Sequence, residues 1–566
     1  MKRLSLVVSM VWMVRAASAA PQPERTVRQW APYEVEMTAA KEFANAYTEG
    51  LPDGGKPWVT LTFTGSSGEA SGMRYAVAGF WDGGKTWKAR FAPPAAGEWS
   101  YAASSADASL QGVKGSFRCV AWSAEEVAAN STRRGFVRVA KNGPRAGRYF
   151  EYADGTPFLW IADTWWGFAQ RSGGKLFPFD RFQKVVDGRA EQGFTLGQLF
   201  FGANNGAFMA GRNYDAPDFE QIHNAEMFIA YANSKGLTVW IHPWWSARNL
   251  NQQAGPEKVR RWARYVVHRL AAYNVIWTVA GEYNMYDYGG MGLQFWKELG
   301  ALMRAEDPYR HAIGVHNTPP AWSAGQMGNS AQWSTAEVIH DEPWLDFDQS
   351  QTGHGKWRNE LIPQVVAAAY ARAPGKPIVV TEPWYEFIEG SAPAEDIRFG
   401  AWTAFLSGAA GHSYGGGHQW WAYIPNPNRP GNARLGSWPI EPKDVDTVHY
   451  PGANALGFMA KFLKGVEWWR LEPHPELVSE YAAKYCSAIP GQEYLVYSRW
   501  GGTLKLDLRS SSASDRFKFT WSDLSNQKEA SGGEVAGGGI RAFGTPEDYP
   551  GALQYKDWVL HVVKQP

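Results

Sequence analysis

The sequence predicts an α/β protein: a (β/α)8 TIM barrel flanked by N-terminal and C-terminal β-sandwich domains. In the middle of the chain, eight apolar strand-like runs alternate with amphipathic helical stretches, which indicates a parallel sheet closed into a barrel. The segments on either side contain short strand-like runs separated by Gly- and Pro-rich turns, which is typical of β-sandwiches. The length of 566 residues suits about three domains.

The composition is that of a globular protein, with 45% hydrophobic and 20% charged residues. The formal net charge is +1, so no overall positive field favours nucleic acid or an anionic membrane as a partner. The unusual feature is the 30 tryptophans, which are more than core packing alone accounts for. We therefore expect a share of them to bind a ligand.

The start of the chain resembles a secretory signal peptide over residues 1–19. Lys2 and Arg3 precede an apolar run, and Ala17-Ser18-Ala19 offers a cleavage site of small residues. We expect a secreted or periplasmic protein, with a buried N-terminal helix as the alternative. No later run approaches the ~20 apolar residues that span a membrane. Cys119 and Cys486 fall in different predicted domains, and the sequence leaves open whether they pair.

The first segment, residues 22–122, predicts the N-terminal β-sandwich, and the last, residues 471–566, predicts the C-terminal one. Strand-like runs occupy 58–64, 75–81, 86–91 and 98–101 in the former, and 494–498, 504–508, 517–521 and 557–563 in the latter. In the C-terminal segment, Ser531-Gly532-Gly533 and Gly537-Gly538-Gly539 predict turns or flexible loops.

The middle segment, residues 130–470, predicts the barrel. Its apolar runs are 158–162, 194–201, 237–241, 275–279, 312–315, 344–347, 377–380 and 409–414. Helical stretches include 257–273, 294–306, 360–372 and 394–406. The alternative is an open doubly wound sheet, which a Gly-rich phosphate turn after the first strand would favour. Asp163-Thr164-Trp165-Trp166 stands there instead.

Two carboxylates directly follow the fourth and seventh runs, namely Glu282 and Glu382. The active site of a TIM barrel lies at the C-terminal ends of its strands, and strands four and seven face each other across the mouth. Two facing carboxylates are what glycoside hydrolysis needs. The alternative for each is an ion pair with a neighbouring Arg or Lys.

Polar and aromatic residues at the other strand ends suit a sugar site, because amides, carboxylates and imidazoles bond hydroxyls while indole faces stack on sugar rings. The substrate-binding candidates are Asp163, Trp165, Trp166, Asn204, His242, Trp244, Asn284, His316, Trp384, Tyr385, Glu386, His418 and Trp420. The seven tryptophans at strand ends, of which a good share should line the sugar-binding cleft, are Trp165, Trp166, Trp244, Trp245, Trp384, Trp420 and Trp421. Other polar residues that follow strands are Asn205, Asn317, Asp348, Gln349, Gln351 and His354. The histidines lack the short spacing of a metal motif, so we expect no metal or other cofactor.

One motif predicts different chemistry. Gly411-His412-Ser413-Tyr414-Gly415 matches the nucleophile elbow of α/β-hydrolases, which must lead into a helix. Glycines follow it here, so a serine esterase using Ser413 is a less favoured alternative. A second alternative is a non-catalytic glycan-binding protein on the same scaffold.

The middle segment resembles the apiosidase-like (β/α)8 glycoside hydrolases, a domain of unknown function of the 4038 type. The resemblance rests on Asp163-Thr164-Trp165-Trp166, Gly281-Glu282-Tyr283-Asn284 and Thr381-Glu382-Pro383-Trp384-Tyr385-Glu386. The first segment resembles the β-sandwich of the 5060 type through Gly79-Phe80-Trp81-Asp82-Gly83 and Gly97-Glu98-Trp99. The last segment is similar to the family's C-terminal domain, sometimes labelled a collagen-binding domain.

The resemblance implies a retaining mechanism in which Glu282 is the acid/base and Glu382 the nucleophile, with Glu386 as the alternative nucleophile. The chain has Glu282 where apiosidase-type members carry Asp, and Gly281 where the wider clan has Asn, so apiose is not carried over as the substrate. We expect a secreted retaining glycoside hydrolase that acts on plant or microbial polysaccharides or oligosaccharides.

Overall fold

The structure of the protein is a computed structural model. It describes residues 25–49, 57–171, 175–204, 207–210, 214–246, 250–320, 331–388, 392–417, 447–479, 485–546 and 556–566. The predicted signal peptide, residues 1–19, lies outside the described residues, as do His418 and Trp420.

The middle of the chain folds into a parallel sheet of eight strands in the order 5-4-3-2-1-8-7-6. The remaining seam, between the fifth and sixth strands, is joined by a hydrogen bond of 2.9 Å from the Asp346 N–H to the Ile313 carbonyl. The predicted barrel is therefore confirmed, and the open sheet is wrong. The strands are Trp160–Thr164, Leu196–Phe200, Thr238–His242, Val275–Thr278, Ile313–Gly314, Asp348–Gln351, Ile378–Glu382 and Gly411–Tyr414.

The sixth strand differs from the prediction, because it is Asp348–Gln351 rather than the apolar run 344–347. Its four residues are polar yet buried, and neighbouring elements supply hydrogen-bond partners to Asp348, Gln349 and Ser350. Asp348 bonds His340 and Thr335 on the helix side, while Gln349 Nε2 donates to Thr278 Oγ1 inside the barrel at 3.0 Å. A strand whose side chains are satisfied by hydrogen bonds carries no hydrophobic pattern.

Large apolar side chains close the barrel interior at the N-terminal ends of the strands. The ring of Trp160 lies 4.8 Å from that of Trp240 and 5.4 Å from that of Phe347. A small sheet of Arg138–Val139, Phe150–Glu151 and Pro157–Phe158 adds Phe150 to this layer. This floor leaves the C-terminal ends of the strands as the place for a site.

Helices pack against the outside of the barrel. The apolar stripe of Gly255–Leu270 is buried, as the heptad-like spacing of Val259, Trp262 and Val266 predicts. The helices of this region are Phe179–Gln192, Phe219–Ser234, Leu250–Gln253, Gly255–Leu270, Met285–Gly289, Leu293–Glu306, Lys356–Asn359, Ile362–Tyr370, Ala394–Leu406 and Pro451–Leu463. No helix among the described residues is both long and apolar enough to cross a membrane.

The N-terminal β-domain contains a five-stranded and a three-stranded sheet. It docks on the barrel through a buried ion network in which Arg90 contacts Glu34 at 2.8 Å and Glu226 at 2.7 Å. Its strands are Thr26–Arg28, Tyr33–Thr38, Val59–Gly65, Arg74–Ala78, Phe80–Trp81, Thr86–Phe91, Gly97–Ser105 and Lys114–Val120, and its helix-like elements are Ala46–Glu49 and Ala124–Ala129.

The C-terminal β-domain contains a six-stranded and a three-stranded sheet. Ser531-Gly532-Gly533, predicted as a turn or loop, lies instead within a strand that pairs along Arg516–Asp523. Cys119 and Cys486 are both buried and free, so they do not pair. The strands are Glu472–Pro473, Val478–Ser479, Tyr485–Ile489, Glu493–Ser498, Thr503–Asp507, Arg516–Asp523, Lys528–Ala536, Ile540–Gly544 and Trp558–Lys564.

Candidate active site

Two carboxyl groups face each other at the barrel mouth. Glu382 is the last residue of the seventh strand and is 7% exposed, and Glu282 lies in the loop after the fourth strand. Burial and the negative charge of Glu382 raise the pKa of Glu282 to about 8, against opposing hydrogen bonds from Trp245 and Gln351. The two groups therefore interact strongly, and Glu282 holds its proton at neutral pH.

Trp245 fixes the carboxyl of Glu282. Its indole N–H donates a hydrogen bond of 2.8 Å to Glu282 Oε2. The same ring packs against Gly281, where an added Cβ would lie 2.1 Å from a ring carbon. An Asn at position 281 therefore does not fit beside Trp245, which accounts for the Gly281 found before Glu282.

The backbone at Glu282 is strained. Its φ is +40°, in the left-handed region that non-glycine residues rarely adopt. The loop is held on both sides, because Tyr283 N–H donates to the His316 carbonyl and Met285 N–H to the Glu282 carbonyl, each at 2.9 Å. Such strain costs about 1–3 kcal/mol and is found at functional sites.

Three side chains surround Glu382. His316 Nε2 lies 3.7 Å from Glu382 Oε2, and His354 Nε2 lies 3.5 Å from Glu382 Oε1. The Tyr385 hydroxyl hydrogen-bonds Glu382, and it accepts a hydrogen bond of 2.9 Å from Trp166 Nε1. The carboxyl of Glu382, the predicted nucleophile, is thus oriented by neighbouring side chains.

The rings of His242 and His316 lie in the same cavity, and both are neutral. Burial lowers the pKa of His316 to about 4 and that of His242 well below its ordinary value. The rings lie 6.0 Å apart, and Trp166 packs 4.8 Å from His242. Their pKa values keep both rings uncharged at neutral pH, so they can exchange hydrogen bonds with hydroxyl groups.

Several buried polar atoms of this cavity have no hydrogen-bond partner within the described parts of the chain. They are both ring nitrogens of His242 and of His316, Oε2 of Glu382 and Oε1 of Gln351. Buried polar groups are nearly always paired, with protein or with water. Their convergence around two carboxyls is the composition of a site for a hydroxyl-rich ligand.

Sequence comparison identifies the middle of the chain. The model of the apiosidase-like catalytic domain matches residues 144–470. The chain belongs to the apiosidase-like family. A domain of unknown function, DUF5060, matches residues 26–106, as the resemblance of the first segment predicts. No curated protein matches the chain significantly.

Solved structures share the fold of this apiosidase-like chain. A glycoside hydrolase superposes with a TM-score of 0.65 at 19% identity, covering 77% of this chain and 98% of that one. A family 5 glycoside hydrolase from Bacteroides vulgatus has a TM-score of 0.64 at 20% identity, covering 77% and 95%. A second protein from that organism, provisionally described as a glycoside hydrolase, has a TM-score of 0.63 at 17% identity, covering 96% and 100%.

Asp163 and Trp165, predicted to bind substrate, face the helices outside the apiosidase-like barrel. Asp163 Oδ2 accepts hydrogen bonds from Arg189 Nε at 2.8 Å and from Trp165 Nε1 at 2.9 Å, and all three side chains are fully buried. Because side chains alternate along a strand, these two residues point away from the mouth, whereas Trp166 points into it.

Trp244, Trp384 and Glu386 likewise lie outside the cavity. Trp244 Nε1 donates to the Val259 carbonyl at 2.9 Å, and Trp384 packs in the apolar layer behind the seventh strand. Glu386 accepts from the Tyr414 hydroxyl at 2.7 Å and from the Gly452 N–H at 2.8 Å, at the start of the helix Pro451–Leu463. A carboxylate there stabilises the helix N-terminus, so the geometry does not favour Glu386 as the nucleophile.

Asn204 and Asn284 hold loops rather than facing the carboxyls. Asn204 Oδ1 accepts from the Trp245 N–H at 2.8 Å, and Asn284 Oδ1 accepts from the Thr318 N–H at 2.7 Å. Trp245, one of the seven tryptophans predicted at strand ends, lies in the cavity, and so do Gln351 and His354, which are not among the substrate-binding candidates. For Trp245 strand alternation gives no signal of this position, because His242 and Trp244 are two residues apart and yet only His242 faces the cavity.

The predicted esterase motif does not form a nucleophile elbow. Ser413 lies within the eighth strand, Gly411–Tyr414, and its Oγ accepts a hydrogen bond of 2.8 Å from Gln198 Nε2 inside the barrel. An elbow requires a sharp turn between a strand and a helix. Among the described residues, no group of three or more His, Cys, Asp or Glu side chains has the spacing to hold a metal ion.

Proposed function

We propose that the protein is an exported, retaining glycoside hydrolase in which Glu282 is the acid/base and Glu382 the nucleophile. The observation that carries the proposal is the pairing of Glu282, whose pKa is about 8, with Glu382 across the barrel mouth. A general acid for glycoside cleavage must keep its proton at working pH, while its partner faces the anomeric carbon. Membership of the apiosidase-like family and the glycoside hydrolase fold support a glycosidase.

In the first step, a Glu382 oxygen attacks the anomeric carbon and the bond to the leaving oxygen breaks. Glu282 donates its proton to that oxygen, so the leaving group departs as an alcohol and a glycosyl ester remains on Glu382. The free Oε2 of Glu382, which accepts no hydrogen bond from the described residues, suits the attacking atom.

In the second step, water attacks the anomeric carbon, the bond from that carbon to Glu382 breaks and releases the Glu382 carboxylate, and Glu282 takes the proton from the water. The esterified Glu382 carries no charge, so the Coulombic contribution that raises the pKa of Glu282 is absent at this stage. The pKa of Glu282 therefore falls when the residue must act as a base, and it rises again when the ester is hydrolysed.

We propose that the neutral imidazoles and the amide of the cavity bind sugar hydroxyls, and that the indoles form the walls around the sugar ring. The residues are His242, His316, Gln351, Trp166 and Trp245, with Tyr385 and His354 orienting Glu382. His418 and Trp420 lie outside the described residues and stay as predicted binding residues.

The proposed substrate is a plant or microbial polysaccharide or oligosaccharide. Lys2, Arg3 and the Ala17-Ser18-Ala19 site support export, and a secreted enzyme meets polymers rather than metabolites. The segments 22–122, 130–470 and 471–566 are proposed as the folding domains that follow the signal peptide.

The test is a screen of aryl glycosides and plant polysaccharides with product analysis, run on wild type beside Glu282→Gln. We expect wild type to release sugar from at least one substrate and Glu282→Gln to be strongly impaired on it. Glycan binding without turnover by wild type would instead indicate a non-catalytic glycan-binding protein. Phosphonate labelling of Ser413 would indicate the esterase.

A further inference from the structure

One exposed tryptophan lies beside the active site. Of the described tryptophans, Trp357 and Trp500 are more than half exposed, at 57% and 59%. Trp357 is in the short helix Lys356–Asn359, which follows the sixth barrel strand on the side of the carboxyls. His354, with its Nε2 3.5 Å from Glu382 Oε1, precedes it by three residues, so their Cα atoms lie at most ~11 Å apart.

Trp357 belongs to a braced cluster rather than a mobile surface. The Arg358 guanidinium lies 4.6 Å from the Trp357 ring centroid and 5.9 Å from that of Trp333. The two indoles meet edge to face at 6.2 Å and 88°. Stacking of a cation on an aromatic face restricts both groups.

The cluster is tied to the loops that form the barrel rim. Arg358 donates hydrogen bonds of 3.0 Å to the carbonyls of Thr352 and Pro320, which follow the sixth and fifth strands. Ser350 Oγ donates to the Trp333 carbonyl at 2.9 Å. The indoles are thus held in fixed positions relative to Glu382, which a binding surface needs.

We propose that Trp357 and Trp333, braced by Arg358, form a platform that binds sugar rings of the substrate chain beyond the cleaved bond. The inference rests on the proposed function and extends it to polymeric substrates. The occupant follows from the position, because Trp357 is three residues from His354, whose ring lies beside Glu382, on the same side of the barrel as the carboxyls.

The test compares a polymer with a small substrate. The polymer is whichever of arabinoxylan, galactomannan, rhamnogalacturonan I and arabinogalactan yields sugar with wild type, and the small substrate is the p-nitrophenyl glycoside of that sugar. The readout is the ratio of kcat/KM for the polymer to kcat/KM for the aryl glycoside. We expect this ratio to fall about tenfold in Trp357→Ala, as loss of one aromatic stacking partner implies, and to stay within twofold in Trp357→Phe.

Trp122→Ala is the matched control. Trp122 also stacks with arginines, its ring lying 4.9 Å from Arg28 and 4.3 Å from Arg133, but it lies at the end of the N-terminal segment 22–122, outside the barrel. We expect its ratio to equal that of wild type. An unchanged ratio in Trp357→Ala, or an equal fall in Trp122→Ala, would overturn the platform while leaving the proposed hydrolase intact.

A binding measurement separates the two proposals. The Glu282→Gln protein is run in native gels containing each of the four polysaccharides, beside Glu282→Gln/Trp357→Ala. Retardation of the single variant that is lost in the double variant supports the platform, even where no glycoside is cleaved and the proposed hydrolase fails. Absence of retardation in all four gels, or equal retardation of both variants, contradicts the platform.

Discussion

The indole N–H of Trp245 donates a hydrogen bond of 2.8 Å to Oε2 of Glu282, the residue that carries the raised pKa at the barrel mouth. This bond stabilises the charged form of the carboxyl and orients it, while burial and Glu382 favour the neutral form. Trp244, the preceding residue, points the opposite way and bonds the Val259 carbonyl on a helix. The two neighbours thus have separable roles.

Trp245→Phe removes the donor while retaining a ring against Gly281. We expect the pKa of Glu282 to rise above its value of about 8, and the high-pH limb of kcat/KM to move up with it. A hydrogen bond to a charged group contributes about 1.5–3 kcal/mol, so kcat/KM should fall roughly ten- to a hundredfold. Because Trp245 acts through Glu282, its loss should change both the pH profile and the size of kcat/KM. Steady-state kinetics from pH 5 to pH ~10 measures both effects.

Trp244→Phe is the control for that variant. It breaks a buried hydrogen bond between a strand end and a helix, which should cost about 1 kcal/mol of stability without moving the pH profile. Equal pH profiles in Trp245→Phe and wild type would show that the indole does not set the protonation of Glu282.

The pH dependence of wild type follows from the raised pKa. Glu282 must be protonated to assist the leaving group, so activity should fall as the pH rises through about 8. The midpoint of the high-pH limb of kcat/KM, measured at low substrate concentration, reports this group in the free enzyme. A midpoint below pH 6 would show that another group acts as the acid.

The stability of the folded protein should also depend on pH through Glu282, and the direction of the change is defined. The unfolded carboxyl titrates near 4.5 and the folded one near 8, so between these values the unfolded state releases a proton that the folded state keeps. Stability therefore declines as the pH rises through this window. We expect Glu282→Gln to raise the thermal midpoint at pH 7 and to match wild type at pH 4, by calorimetry. Equal differences at both pH values would contradict a carboxyl that is neutral in the folded protein at pH 7.

The effect of losing the acid on kcat should depend on the leaving group. Glu282→Gln should lower kcat about 10²–10⁴-fold with an oligosaccharide, because its leaving alcohol needs a proton. The fall in kcat should be far smaller with a 2,4-dinitrophenyl glycoside, because 2,4-dinitrophenol leaves without one. Glu386→Gln is the control, since Glu386 accepts hydrogen bonds from Tyr414 and Gly452 outside the cavity. A similar loss in Glu386→Gln would reassign the catalytic pair.

Asp163 should matter for folding rather than for sugar binding. Its Oδ2 lies 2.8 Å from Arg189 Nε, and neither side chain is exposed. Asp163→Asn leaves a buried guanidinium without its counter-charge, which costs about 3–5 kcal/mol. We expect a lower unfolding midpoint with KM of the folded enzyme near that of wild type, and partial recovery in Asp163→Asn/Arg189→Met. A raised KM without loss of stability would place Asp163 in the substrate site.

The barrel and the facing carboxyls were predictable because they follow from coarse properties of the sequence. Alternating runs and helices define the strand order, and strand order alone places Glu282 opposite Glu382. The sixth strand was not predictable in this way, since its residues are polar and hydrogen bonds from Asp348 to His340 and from Gln349 to Thr278 hold it in place of buried apolar side chains.

The division of the strand-end tryptophans could not be read from the sequence either. Trp165 and Trp166 are adjacent tryptophans, and so are Trp244 and Trp245. A shift of one residue at a strand end would turn the other member of each pair toward the cavity. The structure places the second of each pair inside. Partners from distant segments, such as Arg189 for Asp163 and Gly452 for Glu386, decide the remaining cases.

The covalent intermediate provides the most direct test of the catalytic pair. A 2-deoxy-2-fluoro glycoside of the sugar that wild type releases should inactivate the enzyme and form an ester. Peptide mass spectrometry should place that ester on Glu382, with none formed in Glu382→Gln. An adduct on Glu386 or any other residue, or an inverted product with no adduct, would contradict the assignment of Glu382 as the nucleophile and Glu282 as its acid/base.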